Sequence, residues 1–263
     1  MSTITASETR ASANDNLAGW LRQRLRLDWY VLCWLAILII ALVTRFAGLG
    51  DRVMSHDESL HTYYSYLLYE NGSFQHTPLM HGPILFHINA LMYALFGAND
   101  FTSRLYPAIL GVLMVMFPLL FKRWLGRTGA LLAGLLILIS PLLLFHHRYM
   151  RDDTPSIFFT MIMVWSTFMY VDGPLKLRRR ARWLYLFAGA LLLSLGSKEV
   201  AFMYVAIFGL FLTIYWLSRL IQHFGKRPTA NLFYTLIIPL LLGGVLALMA
   251  YRSEERRVGK ECR

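Results

Sequence analysis

The sequence predicts an all-α integral membrane protein, from its composition, its long apolar runs and its basic loops. Hydrophobic residues make up 57% of the 263 residues, whereas soluble domains usually contain about 45–50%. They are gathered into runs such as 31–46, 130–145 and 232–250, which mostly lack the polar stripe of a soluble helix. Such runs approach the roughly 20 residues that cross a bilayer core of about 30 Å.

The basic residues indicate membrane loops rather than a nucleic-acid partner. The formal net charge is +11, which in a soluble protein would suggest nucleic acid. Here the basic residues lie in short segments between apolar runs, as in cytoplasmic loops. We therefore expect a multi-pass protein of the cell membrane with no nucleic-acid partner. Neither Cys33 nor Cys262 suggests a disulfide framework or a metal site.

The N-terminal segment, 1–28, is polar and ends in an Arg-rich stretch, which predicts a cytoplasmic N-terminus. No small-residue cleavage site follows the first apolar run. We therefore interpret 29–49 as an uncleaved first span rather than a signal peptide. A polar stretch rich in acids, histidines and tyrosines comes next and opens a predicted first external loop, 50–103.

The apolar run at 84–96 is short, and the positive-inside rule decides its topology. If it does not cross, three basic loops, 122–127, 176–182 and 219–227, lie on the cytoplasmic side with the N-terminus. If it crosses, all three move outside. We therefore predict an interfacial or re-entrant helix there. The later spans are then predicted at 105–121, 130–145, 155–171, 184–195, 201–217 and 232–250.

This topology, which the basic loops alone favour, also gathers three polar segments on one external face. The segments contain Asp57–Glu58, His146–Asp153 and Ser197–Glu199. Their convergence predicts a shared site in a single membrane domain, 29–251. The charged tail, 252–263, breaks the positive-inside pattern and looks like adapter-derived read-through. We interpret it as non-native.

The first polar segment, His56-Asp57-Glu58 with His61 one turn later, suggests acid–base chemistry. Glycosyl transfer needs a carboxylate to take the acceptor proton as the anomeric bond breaks. The simpler alternative is a helix N-terminus, since Ser55 is a possible cap and acids suit the first turn.

The second and third segments carry candidate phosphate ligands. Arg148 and Arg151 are three residues apart and share a helical face, where two guanidinium groups can clamp a phosphate. Lys198 can add charge, because ionisable groups near a span usually face a cavity or a partner. The alternatives are a snorkelling cluster paired with Asp152 and Asp153, and a self-satisfied Lys198–Glu199 pair.

The histidines near the end of the polar stretch, His76 and His81, match no compact metal-ligand spacing. They lie in a turn that also contains Pro78, Gly82 and Pro83. We therefore assign no metal ligands and no certain cofactor. A divalent ion bound by Asp57 or Glu58 stays possible.

Residues 55–111, from SHDESLHTYY to RLYPAILG, resemble the first external loop of the GT-C superfamily. That superfamily includes the protein O-mannosyltransferases and the bacterial lipid A aminoarabinose transferases. The pattern looks most similar to a family described as flippase-activity-associated in archaeal N-glycosylation. The matching elements are the Asp57-Glu58 pair, the His81-Gly82-Pro83 turn, the helix Ile84–Phe96, Ser103-Arg104-Leu105, HHRYMRDD at 146–153 and SKEVAFM at 197–203.

The resemblance implies a GT-C-like multi-span helical bundle with juxtamembrane helices in the first external loop. It implies a membrane glycosyltransferase, hexosyl or pentosyl, that uses a polyprenyl-phosphate sugar donor externally on a glycan, lipid or protein acceptor. Asp57 and Glu58 would be its catalytic acids. The implied donor-phosphate residues are Arg104, Arg148, Arg151 and Lys198. The implied supporting residues are His56, His61, His81, Asp153 and Glu199.

Two other interpretations stay open. A lipid-linked-sugar flippase would also need a charged site in the membrane, although transporters tend to show internal repeats and interrupted helices, which we do not see. A non-catalytic component of a glycosylation complex would keep the fold and lose the chemistry. Family members are usually longer, so we expect a C-terminally truncated fragment, which can be inactive.

Overall fold

The computed structural model describes residues 28–74, 81–172 and 177–224. No strand occurs within these ranges, which confirms the predicted all-α class. They form one 3₁₀ helix, Phe117–Phe121, and nine α-helices. The α-helices are α1 (Trp29–Phe46), α2 (His56–Asn71), α3 (Ile84–Phe96), α4 (Asp100–Met116), α5 (Lys122–Ile139), α6 (Pro141–His147), α7 (Asp153–Val171), α8 (Leu177–Leu195) and α9 (Ala201–Phe224).

The chain falls into two compact units, which divide between Met203 and Tyr204. The first unit holds α1 to α8 and all the segments predicted to form the site. The described part of the second unit is the rest of α9. The predicted N-terminal segment, the span at 232–250 and the tail at 252–263 lie outside the described residues.

Four helical segments are long and apolar enough to cross a membrane, by length and composition. They are Trp29–Phe46, Asp100–Ile139, Asp153–Val171 and Ala201–Leu220. α8 contributes a shorter apolar helix, Ala181–Leu195, where a span was predicted at 184–195. These segments confirm a multi-pass membrane protein.

The long segment Asp100–Ile139 doubles back on itself at Gly126. That residue has a φ of 72° within an otherwise helical stretch, a left-handed conformation that glycine adopts at no steric cost. As a result α5 returns alongside α4 and α1. The turn lies inside the predicted loop 122–127, between two predicted spans.

The core of the first unit lies where α1, α4 and α5 meet. Its buried side chains include Trp34, Val115 and Leu138. The Trp34 ring packs against Gly134, where an added Cβ would lie 2.7 Å from a ring carbon. Any larger residue at position 134 would therefore push α1 and α5 apart.

The short helix α3 coincides with the run that was predicted not to cross a bilayer. Its 13 residues extend about 20 Å, which is less than the roughly 30 Å of a bilayer core. α3 packs against α2 and α4 and buries Leu85, Phe86 and Tyr93. It therefore belongs to the bundle as a supporting helix.

Charged residues gather at two ends of the first unit. We call the first the basic end, defined by Asp28, Lys122, Arg123, Arg127 and Asp172. We call the second the site end, which contains the segment from the end of α1 to the start of α2, the α6–α7 connection, and Gly196–Glu199. All three polar segments predicted to converge lie at the site end.

Candidate functional site

The site end begins with the N-terminus of α2, which a capping box fixes. The Ser55 hydroxyl accepts a hydrogen bond from the Glu58 backbone, and the Glu58 carboxylate accepts one from the Ser55 backbone. The Ser55 hydroxyl also lies 2.5 Å from the Tyr149 hydroxyl. These contacts join the start of α2 to the α6–α7 connection and set the direction of the acid pair.

The Glu58 carboxylate is fully buried and accepts five hydrogen bonds. Two come from Arg104, at 2.9 and 3.0 Å, and one comes from Arg52 at 2.9 Å. The backbone N–H groups of Ser55 and Met150 supply the others. Burial alone would raise the pKa of Glu58, but the Arg104 hydrogen bonds and charge and the two backbone N–H groups outweigh it and hold that pKa below its usual value.

Arg104 and Arg148 direct their N–H groups into the protein. Besides its two bonds to Glu58, Arg104 donates to two loop carbonyl oxygens, both at 2.9 Å. Arg148 donates to the carbonyl oxygens of Thr44 (2.7 Å) and Gly48 (3.0 Å) at the end of α1. A guanidinium suits such helix C-terminal oxygens, which carry partial negative charge. Both arginines therefore hold the architecture of the site end.

A partly exposed row of alternating charges crosses the site end. The side chain of Asp57 is 48% exposed, whereas that of the adjacent Glu58 is 0% exposed. Asp57 pairs with Arg151 at 3.0 Å, and Arg151 approaches Asp153 at 3.4 Å. Asp153 also bonds the Lys198 ammonium. The row therefore brings together residues from α2, the α6–α7 connection and the α8–α9 connection.

The His81-Gly82-Pro83 turn docks on the segment that carries Lys198. The Gly82 N–H donates to the Ser197 carbonyl oxygen at 3.1 Å. An added Cβ at Gly82 would lie 1.8 Å from the Gly196 carbonyl oxygen, so the close backbone approach requires glycine. His81 reinforces the contact through a hydrogen bond between its Nδ1 and the Glu199 carboxylate, at 2.8 Å. The two supporting residues thus connect the first polar loop to the third segment.

A buried histidine–carboxyl pair lies beneath this row. His61 Nδ1 lies 2.7 Å from the Asp57 backbone oxygen, and His61 Nε2 lies 3.7 Å from Asp152 Oδ2. A carbonyl oxygen can only accept, so Nδ1 carries the proton and Nε2 presents its lone pair to Asp152.

Burial governs the ionisation of this pair. It lowers the pKa of His61. It also raises the pKa of Asp152 to about 8, where Lys198 opposes the shift and Asp153 adds to it. A pKa of about 8 favours the neutral form of the Asp152 carboxyl at pH 7. The 3.7 Å between its Oδ2 and His61 Nε2 is longer than a hydrogen bond, and both atoms are buried without a hydrogen-bond partner among the described residues.

Two of these residues, Asp152 and Arg52, were absent from the predicted site. The sequence suggests Asp152 only as a pairing partner for the snorkelling arginines nearby. One signal could have found it, because two consecutive acids at a helix start face different directions, so Asp152 cannot share the exposed position of Asp153. Arg52 follows the first span directly, and its position beside the acid pair becomes visible only in three dimensions.

The remaining predicted residues have simpler settings. His56 is exposed on the first turn of α2. His76 and Pro78 lie outside the described residues. Within the described ranges, no group of three or more His, Cys, Asp or Glu side chains could hold a metal ion.

The fold and the site define a class: multi-span helical proteins with an acid pair and opposing cations at one end of the bundle. The profile of the dolichyl-phosphate-mannose-protein mannosyltransferase family matches residues 80–249. The chain belongs to this family. It is also 29% identical over 168 residues to an uncharacterized protein of Aquifex aeolicus (strain VF5). The aligned region covers 60% of this chain and 33% of that protein.

Several solved structures share the fold. ArnT from Cupriavidus metallidurans bound to undecaprenyl phosphate gives a TM-score of 0.62 at 21% identity, covering 74% of this chain and 37% of that one. The S. cerevisiae protein O-mannosyltransferase Pmt1–Pmt2 complex bound to the sugar donor gives a TM-score of 0.59 at 20% identity. That match covers 73% of this chain and 28% of the other.

These comparisons confirm the GT-C superfamily and its fold. The chain spans about a third of the length of the proteins it matches. The narrower resemblance to the flippase-activity-associated family stays a prediction.

Proposed function

We propose that the chain is part of a GT-C glycosyltransferase that moves a sugar from a polyprenyl-phosphate donor to a glycan, lipid or protein acceptor. The family supports the transferase class. ArnT bound to undecaprenyl phosphate and the Pmt1–Pmt2 complex bound to its sugar donor support the donor class. The basic end fits the cytoplasmic side by the positive-inside rule, which supports an external position for the site end.

Asp57 is the carboxylate that we assign as general base, and its exposure is the observation that carries the assignment. Its neighbour Glu58 has both oxygens engaged by buried donors, whereas Asp57 has one side-chain partner, Arg151, among the described residues. An acceptor hydroxyl or amide can therefore reach Asp57. As the acceptor bonds to the anomeric carbon, its proton passes to Asp57 and the sugar–phosphate bond breaks with inversion.

Arg151 and Lys198 are the cations that we assign to the departing lipid phosphate. Both are partly exposed, and both already face carboxylates at the site end. A phosphate can share these cations with Asp57 and Asp153, and it gains charge as the sugar leaves, which is where fixed cations stabilise most. We assign Arg104 and Arg148 an indirect role, without contact to the phosphate: Arg104 positions Glu58, and Arg148 positions the end of α1.

Sugar transfer by the full-length gene product in nanodiscs tests this assignment. Asp57→Asn should lower kcat at least 100-fold, which is the usual contribution of a general base. It should leave the unfolding transition unchanged, because Asp57 is half exposed. Asp172→Asn, an exposed carboxylate at the basic end, is the matched control and should keep full turnover.

Wild-type turnover in the Asp57→Asn variant would remove Asp57 from the mechanism. The two other interpretations have different signatures in the same nanodiscs. Movement of the lipid-linked sugar across the bilayer without transfer to an acceptor would favour a flippase. Neither movement nor transfer, with binding to a second protein retained, would favour a non-catalytic component.

A further inference from the structure

A second cationic position lies outside the row that we assign to the donor. Arg52 follows α1, and its guanidinium donates to Glu58 at 2.9 Å. The Arg52 Cζ lies 5.2 Å from the ring centre of Phe145 and 5.4 Å from that of Tyr149. These two rings stack on each other at 5.0 Å. The guanidinium is thus held in place, yet 45% of the side chain is exposed.

The charge of Arg52 is in excess at this position. The single negative charge of Glu58 already faces two N–H groups of the buried Arg104. The carboxylate of the neighbouring residue, Asp51, lies against Gly48 instead. A Cβ added at Gly48 would be 2.8 Å from Asp51 Oδ2. Arg52 has no other carboxylate within ion-pair distance among the described residues. Two guanidinium groups around one carboxylate leave a local positive charge, which an anion would stabilise.

The surroundings of Arg52 indicate what kind of anion fits. Phe145 is 47% exposed and Leu142, on the same short helix, is 66% exposed. Exposed apolar side chains beside membrane-spanning helices suit contact with lipid hydrocarbon. Arg52 therefore stands at the border between this apolar surface and the polar site end. A ligand that combines a phosphate with hydrocarbon chains matches both sides of that border.

We propose that Arg52, on the platform formed by Phe145 and Tyr149, binds the phosphate of a lipid whose chain lies along α6. A guanidinium on aromatic rings offers planar N–H donors that match phosphate oxygens. Two lipids share this chemistry: a polyprenyl monophosphate, which rests on the proposed function, and an anionic phospholipid of the bilayer, which does not.

Lipid binding to the full-length gene product in phosphatidylcholine nanodiscs tests the proposal. Undecaprenyl phosphate is one probe, phosphatidylglycerol is the second, and undecaprenol, which lacks the phosphate, is the control ligand. Arg52→Gln should weaken binding of one phosphate lipid about 10- to 100-fold, the loss expected for a charge-assisted hydrogen bond. Phe145→Leu should weaken it about 2- to 5-fold through the lost cation–π contact.

Two further variants separate charge from folding. Arg52→Lys keeps the charge and should bind more tightly than Arg52→Gln. Arg123→Gln removes an exposed arginine at the basic end and should bind both lipids as the wild type does. If Arg52→Gln loses affinity for undecaprenyl phosphate, the site binds the polyprenyl lipid. If it loses affinity for phosphatidylglycerol alone, the site binds a phospholipid of the bilayer.

Wild-type affinity for both lipids in Arg52→Gln would overturn the proposal. If Arg52→Gln does not fold, Phe145→Leu decides, since its side chain is exposed, and unchanged affinity there would also overturn it. Binding of the unsugared lipid needs no turnover. A failure of sugar transfer would therefore count against the proposed function without counting against this site.

Discussion

The two charged ends of the bundle use the same residue types in different ways. At the basic end, Arg127 pairs with Asp28 and Arg123 pairs with Asp172, and these arginine side chains are 62% and 60% exposed. At the site end, the Arg104 side chain is 1% exposed and meets a Glu58 carboxylate that is fully buried. Residue types alone therefore do not distinguish the two ends, whereas burial does.

Burial changes what each ion pair contributes. An exposed pair gains little, because water and salt screen the charges, and its typical contribution is about 0–1 kcal/mol. A buried pair need not add stability over apolar residues, yet removal of one partner leaves an unpaired buried charge. The stability of the site end therefore depends on each residue of its buried ion pairs. The basic end tolerates the loss of a residue from its exposed pairs.

The largest expected effect follows from breaking the buried pair. Glu58→Gln leaves two guanidinium groups without their carboxylate and should lower the free energy of unfolding by about 3–5 kcal/mol. Asp172→Asn, the matched change at the basic end, should cost about 0–1 kcal/mol. Equilibrium unfolding in detergent measures both, and equal losses would contradict the comparison.

The next effect tests the docking of the first polar loop. Gly82→Ala would place a Cβ 1.8 Å from the Gly196 carbonyl oxygen, so the turn must move away from Ser197. We expect a loss of about 1–3 kcal/mol, as for other overpacked positions. Gly189→Ala, in open space within α8, should gain about 0.5–1 kcal/mol. A stabilised Gly82→Ala variant would show that the turn is not docked.

A third effect concerns pH. Burial raises the pKa of Asp152 to about 8, above the value of about 3.9 in an unfolded chain. The folded state therefore holds an extra proton between these values, and stability falls as the pH rises through this window. Each pH unit removes up to about 1.4 kcal/mol.

Asp152→Asn should remove this contribution and flatten the curve. The interval from pH 7 to 8 is the most informative, because the lowered pKa of His61 makes stability rise with pH only up to about 6.5. Unfolding curves at several pH values for both proteins provide the measurement. Parallel curves for wild type and variant would show that Asp152 is ionised in the fold.

The smallest expected effect lies at the basic end. Arg127→Gln removes one partner of the exposed pair with Asp28 and a contact over the Tyr30 ring, at 5.5 Å. The free energy of unfolding should change by less than about 1 kcal/mol, and high salt should reduce the difference further. A larger, salt-insensitive loss would mean that this end is also a buried network.

Much of the fold follows from hydropathy and charge. The run at 84–96 gives α3 with the predicted bounds, and the loop predicted at 122–127 contains the Gly126 turn. Both depend on local sequence: the length of an apolar run, and a glycine between basic residues. The convergence of the three polar segments also follows, because loop charges determine which connections share a side.

The different roles of similar residues within the site do not follow from the sequence. Asp57 and Glu58 are adjacent and chemically alike, yet only three-dimensional packing reveals that Glu58 meets Arg104 and Arg52. Likewise Arg148 and Arg151 share a helical spacing, but Arg148 points to the carbonyl oxygens that end α1. Such roles depend on distant backbone atoms, which no local pattern records.

Donor binding tests the central claim most directly: that the exposed cations of the site end, unlike those of the basic end, hold a donor phosphate. Wild type, Arg151→Ala, Lys198→Ala and the control Arg123→Ala would each be titrated in nanodiscs with a panel of polyprenyl-phosphate sugars. We predict that one donor binds, that both site-end variants weaken it at least 10-fold, and that Arg123→Ala does not. Equal weakening by all three variants, or binding of no donor, would contradict the account.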